Sequence, residues 1–305
     1  MAEKRRIKAR SVSNVAASKT ALIDLPVGPR YHYLNISHGH AGTDTIAGAT
    51  ANITEIRVIV NDRVQRVFSG VQLRDLNILN GATFDCQGKP SLAPGVSFPI
   101  FFAEPWRKDS RSQDALAWVS SGFKSFRIEV DIGAASTPTL TASAVVDDFQ
   151  PSVEPLFVTM RRQQVASAGT SFDITTIDKK GLLQQVTIYP DSTNAVGFSV
   201  ITARVDGRII HELTAADNFA LLMNNEMTPR LAAYTNDAAV AASARGANAT
   251  PTSTGKIYDV VFDHDDLLNS SLNLQGAKEL TLTLEAASAM AGSVTFIIQR
   301  YGPLE

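Results

Sequence analysis

The chain has 305 residues, 44% apolar and 19% charged, with mean hydropathy near zero. That supplies buried cores for two ordinary domains and argues against disorder, and no run of about 18 apolar residues offers a membrane-spanning helix. The net charge is −2, and the one cysteine, Cys86, has no partner for an internal disulfide, which fits folding in a reducing cytoplasm.

Charge is unevenly placed. Lys4, Arg5, Arg6, Lys8 and Arg10 stand against Glu3 in the first ten residues, ahead of a mildly acidic remainder. Residues 1–12 read as a basic arm for an anionic partner, either nucleic acid or lipid headgroups, with a solvated tail as the plainer alternative. Polar residues follow, so a secretory signal is not expected. His38-Gly39-His40, with Asp44 nearby, has two ligand types on one strand face, but no third ligand stands at a metal-site spacing. An exposed loop is expected there.

Ile53–Val60 alternates apolar and polar residues, the period of a strand with one buried face. Asn61-Asp62 is a tight-turn pair, and Ser69-Gly70-Val71-Gln72 is a helix start with a hydroxyl at the N-cap and an acceptor three residues on. A short helix is predicted over 73–79, stopped by Gly81. Trp106 and Trp118 flank a polar segment, Arg107–Asp114, either as partner anchors or buried beneath it. Phe126–Ile132 is another alternating strand. Asp147–Pro155 contains two prolines and three acids and reads as an extended linker, placed at 149–155.

The second half repeats the first. Val60-Asn61-Asp62-Arg63-Val64 aligns with Val205-Asp206-Gly207-Arg208-Ile209 at an offset of 145, and Ser69 to Gln72 aligns with Thr214 to Asp217, predicting a second helix over 217–223. Gly122-Phe123-Lys124-Ser125-Phe126 aligns with Gly276-Ala277-Lys278-Glu279-Leu280 at an offset of 154, and Leu140-Thr141-Ala142 with Val294-Thr295-Phe296 at the same offset. The growth in offset places extra residues in the second copy, in the Ala/Asn/Thr-rich stretch at about 224–256. Leu280–Glu285 and Val294–Ile298 are its closing strands. Matches at the hairpin, the helix start and the closing strands, in that order, make this a duplication of about 150 residues.

Little points to chemistry. There are five histidines, scattered, and no nucleophile elbow, phosphate loop, dinucleotide fingerprint or zinc-protease motif; an enzyme, including a bicupin, is not expected, and no cofactor is required. Asp263, Asp265 and Asp266, around His264, are the densest carboxylate group and a candidate calcium site, although the spacing is not that of an EF-hand; a helix N-terminus is the simpler account. Arg161 and Arg162 would point to opposite faces of a strand.

A β domain of this size is a sandwich or barrel, and a short helix after an early hairpin fits a jelly roll. Asn14-Val15-Ala16-Ala17, Leu25-Pro26-Val27-Gly28, the Asn61-Asp62 hairpin and Thr159-Met160-Arg161-Arg162 resemble the corticovirus major coat proteins, within the lineage that includes tectiviruses and adenoviruses. The resemblance implies an all-β double jelly roll, two tandem eight-stranded rolls with short helices in loops: arm 1–12, first roll 13–148, linker 149–155, second roll 156–305. It further implies an icosahedral coat protein of a tailless bacteriophage, made in the host cytoplasm and built into the virion capsid. Its partners would be two further copies in a pseudo-hexagonal homotrimer, neighbouring capsid trimers, penton and minor capsid proteins, and an internal lipid membrane met by the basic arm. The alternatives are a tandem β-sandwich that binds carbohydrate and a minor vertex or spike protein.

Overall fold

The structure, a computed structural model, describes residues 3–9, 11–40, 46–80, 96–107, 113–150, 155–166, 169–190, 198–224, 258–262, 271–290 and 292–304. It divides into two compact units: Met1–Asn77 with Ala82–Thr159 and Pro303–Glu305, and Met160–Gly302 with Ile78–Gly81.

In the first unit, β1 (Arg5–Lys8), β10 (Thr139–Asp147), β4 (Arg30–Gly39) and β7 (Val96–Phe101) form one antiparallel sheet in that order, with β8 (Trp118–Val119) also on β4. A second set runs β3 (Thr20–Asp24), β9 (Phe126–Ile132), β5 (Ile53–Val60) and β6 (Arg63–Phe68), with β2 (Ser11–Ser13) outside β3. β9 shows the expected alternation strictly: its odd members are buried and the intervening Arg127, Glu129 and Asp131 half-exposed. Tyr31 of β4 meets Phe126 of β9 edge-on at 5.1 Å, so the two sheets share one core, and Phe102 and Trp118 lie in it 4.8 Å apart. Burying side chains of this size contributes about 1.5–3 kcal/mol each. Helix α1 (Ile46–Asn52) precedes β5, and α2 (Gly70–Leu79) follows β6.

The second unit has β11 (Phe157–Ala166, of which it holds the part from Met160 onward), β19 (Ser293–Gly302), β13 (Leu182–Pro190) and β16 (Tyr258–Val261) in one set, with β17 (Leu272–Asn273) also on β13. The other set is β12 (Gly169–Ile174), β18 (Leu280–Met290), β14 (Phe198–Val205) and β15 (Arg208–Thr214), followed in sequence by α3 (Ala215–Asn224). Phe198 and Tyr258, from opposite sheets, meet at 5.1 Å within one continuous core. Counting the eight main strands of either unit along the chain, the sheets run first-eighth-third-sixth and second-seventh-fourth-fifth. That order is a jelly roll, and it is the same in both.

The equivalence reaches single residues. In the first hairpin Val60 pairs with Arg63, Ile59 with Val64 and, across a bulge, Val58 with Arg66. In the second, Val205 pairs with Arg208, Arg204 with Ile209 and, across a bulge at the same place, Ala203 with His211. Both turns need left-handed backbone at their two central residues, Asn61 (φ 52°) and Asp62 (63°), Asp206 (49°) and Gly207 (79°). The Asn61 Oδ1 accepts hydrogen bonds from the Lys124 and Ser125 backbone N–H groups at 2.7 and 3.3 Å; the Asp206 Oδ1 accepts them from Lys278 and Glu279 at 2.8 and 2.9 Å. The two sequence matches at different offsets are thus one contact, made twice. The helix starts agree as well: Gln72 N–H donates to Ser69 Oγ at 3.1 Å, and Asp217 N–H to Thr214 Oγ1 at 3.1 Å.

Replacing either turn residue with alanine removes two hydrogen bonds of about 1 kcal/mol each and puts a less tolerant side chain at positive φ. Asn61→Ala and Asp206→Ala are each expected to lower stability by about 2 kcal/mol in urea unfolding. A loss in one variant only would contradict the equivalence of the turns.

Candidate functional site

The basic N-terminal residues are not an arm. Arg5–Lys8 is the first strand of the first roll, with Ile7 opposite Ala144 and Lys8 opposite Ser143 on β10. The reason lies in Ile7 and Ala9, the half-buried and buried members of an otherwise charged stretch, which give it a core-facing side. The cations are exposed and differ in surroundings. Lys4 pairs with Asp114 at 2.8 Å and Arg5 with Asp148 at 2.5 Å, whereas Arg6 and Lys8 share the strand face opposite Arg5 and Ile7. Arg10 lies outside the described residues.

Behind this strand runs a buried polar chain that sequence reasoning missed. His32 Nδ1 lies 2.9 Å from Asp114, and its Nε2 2.9 Å from Asp147. Arg30 grips Asp147 with two hydrogen bonds, at 2.9 and 2.5 Å, and its guanidinium lies 4.5 Å over the Phe149 ring. Burial pushes the Asp147 carboxyl up, but hydrogen bonds from Arg30, His32 and the Phe149 N–H, with the Arg30 charge, hold it below the ordinary carboxylate value. Asp147, assigned by its sequence to the edge of a linker, is therefore a buried anchor closing the roll; residues 151–154 lie outside the described ones.

Arg66 is the second hidden group. It is buried in β6, donates from Nε to the Val158 carbonyl at 2.8 Å and from Nη1 to the Phe101 carbonyl at 2.5 Å, and lies 4.7 Å over Trp118. The signal was the strand itself, whose alternation breaks at Gln65, the extra residue of the bulge. On the exposed face of β5 and β9, Arg57 instead binds Glu55, Glu129 and Asp131 at 2.5–2.9 Å, an ion-pair network that covers the sheet without making a pocket.

His38 and His40 are buried, not on an exposed loop: His38 closes β4, with Nδ1 3.2 Å from the Thr139 carbonyl, and burial lowers its basicity. Among the described residues no three His, Cys, Asp or Glu side chains gather as a metal site. Asp263, His264, Asp265 and Asp266 lie outside the described residues, as do Asp44, Cys86, Gly81 and nearly all of the 224–256 insertion. Arg161 and Arg162 are both exposed on β11, Arg161 lying 3.6 Å from Asp178. Trp118 is fully buried, and Trp106 stands edge-on to Phe101 at 5.5 Å, so the two make no shared platform for a sugar ring.

Two rolls of one topology, matched at their hairpins within a single chain, make a double jelly roll. Residues 6–147 match the family model described as the viral coat protein P2 N-terminal domain. Among solved structures the chain is similar to the major capsid protein P2 from Bacteriophage PM2, at 18% identity and a TM-score of 0.73 over 98% of this chain and 97% of that one. The STIV MCP gives 10% identity, a TM-score of 0.66 and coverage of 98% and 96%; the PBCV-1 virus capsid gives 9%, 0.63, 98% and 93%. No curated protein matches the chain.

Proposed function

We propose that the protein is the major capsid protein of an icosahedral bacteriophage and that its working unit is a homotrimer. The observation that carries this is the residue-level identity of the two hairpins and of the contacts their turns make. Two equivalent rolls per chain give six per trimer, so a threefold particle presents six nearly alike edges and can tile a shell against its own copies. Neighbouring trimers, penton and minor capsid proteins complete such a shell. Arg6 and Lys8, exposed on one face of β1, supply charge for an anionic surface, with each cation near anionic lipid headgroups contributing about 1 kcal/mol of attraction; an internal membrane is the partner this favours.

Sedimentation of the purified chain is expected to give a particle of about three times 32.7 kDa, with dissociation and unfolding coinciding because subunits stabilise one another by mass action. A monodisperse monomer at micromolar concentration would contradict the proposal.

A further inference from the structure

Two histidines end the inward row of β4. Strand alternation puts Leu34, Ile36 and His38 on the face that enters the core of the first roll, and His40 follows two residues on. Leu34, Ile36 and His38 are fully buried, and His40 is 8% exposed. An imidazole in such a place needs a partner for each ring nitrogen that leaves water. His38 has a partner for one. Its Nδ1 lies 3.2 Å from the Thr139 carbonyl, which can only accept, so Nδ1 carries the proton of the neutral ring and Nε2 holds a lone pair. Burial lowers the basicity of His38, with His40 acting in the same direction against that hydrogen bond, which favours the neutral ring. The Nε2 is buried too and has no hydrogen-bond partner among the described residues. A lone pair on one nitrogen, with the N–H of the other held by a backbone carbonyl, is the arrangement of a metal-ligating histidine.

A second imidazole is adjacent. The His38 and His40 rings lie 5.8 Å apart, centre to centre. Zinc stands about 2 Å from a ligand nitrogen and hence about 3 Å from the centre of its ring, so two rings sharing one ion lie up to about 6 Å apart. We infer that His38 and His40 form a two-histidine site, within the first roll, for a divalent ion of the zinc, nickel and copper class. Imidazole selects these ions, whereas calcium and magnesium take oxygen ligands. With water in the remaining positions the site exchanges its ion with the medium. An ion bound by the folded chain alone stabilises it, and here it does so where β4 ends.

The full chain tests this, freed of metal with EDTA and carrying Cys86→Ser to remove a competing thiolate. Titrated with zinc sulfate in a calorimeter, it is expected to bind one equivalent and to gain in thermal midpoint; calcium chloride is expected to do neither. His38→Gln and His40→Gln each remove a ligand and are expected to weaken zinc binding about tenfold or more. His264→Gln, which removes the imidazole among Asp263, Asp265 and Asp266, is expected to leave it unchanged. No zinc binding, or binding lost in His264→Gln and kept in His40→Gln, would overturn the site. Should His38→Gln fail to fold, nitrogen NMR of the histidine-labelled chain decides. Zinc is expected to move the signals of two of the five histidines, one of them the signal lost in His40→Gln; if that signal stays in place, the inference falls.

Discussion

Arg66→Ala is expected to lower the unfolding free energy by about 4 kcal/mol. Arg66 is 1% exposed and lies among Phe102, Trp118 and two backbone carbonyls, Phe101 and Val158. Burial pulls its guanidinium down to about 9, with the Glu104 charge acting the other way, so it is cationic at pH 7. Hydrogen bonds from a charged donor contribute about 1.5–3 kcal/mol each, and the desolvated cation over Trp118 about 1–2 more. Against these stands the cost of taking the charge out of water, several kcal/mol, which the truncation relieves. What alanine leaves is a cavity and two buried carbonyls without donors, and those dominate. Arg66→Lys keeps the charge, but its ammonium is a compact point without the rigid fork that serves both carbonyls, so about 2 kcal/mol is expected. Urea unfolding followed by tryptophan fluorescence reads both variants; a loss below 1 kcal/mol for alanine would show that the carbonyls find other donors.

The second large effect is at Asp147. Asp147→Asn leaves Arg30 and His32 facing an uncharged group in a buried site, and breaking a buried pair by removing one partner is expected to cost about 3 kcal/mol at pH 7. The effect depends on pH with a definite sign. Because the folded carboxyl titrates below its unfolded value, ordinarily about 3.9, its contribution is complete above the unfolded value and is lost as pH falls through the folded one. Asp131, held low chiefly by its hydrogen bonds from Arg57 against burial, loses its contribution in the same direction. The difference in thermal midpoint between native chain and variant should therefore be widest at pH 5–7 and narrow towards pH 3. A difference that stays constant to pH 3 would mean that Asp147 acts through its shape and not its charge.

What the sequence made legible was whatever repeats or alternates. The strand at Ile53–Val60, the turn at Asn61-Asp62, the capping pair Ser69–Gln72 and their counterparts near residue 206 are local signals, and local backbone preference decides them. The pairing of the offset-145 and offset-154 matches through Asn61 and Asp206 was not legible, because side chain to backbone contacts across some 60–70 residues leave no periodicity. Arg66 and His32 were hidden for a related reason. A charged residue in a strand reads as solvent-facing unless a bulge or a distant carboxylate changes its surroundings; the break of alternation at Gln65 is a faint local sign of the first, whereas the meeting of His32 with Asp114 and Asp147 is not written near His32. The basic N-terminal stretch misled in the opposite sense: five cations in ten residues outweighed Ile7, although one inward side chain and a free edge on β10 were enough to make Arg5–Lys8 a strand.

Two equivalent rolls in one chain are expected to form a threefold coat unit with six similar edges. Negative-stain electron microscopy of the purified oligomer viewed along its axis tests it most directly. The expected image is a six-lobed, near-hexagonal outline with threefold symmetry; a two-lobed single chain, or an oligomer with a twofold or fourfold outline, would contradict it.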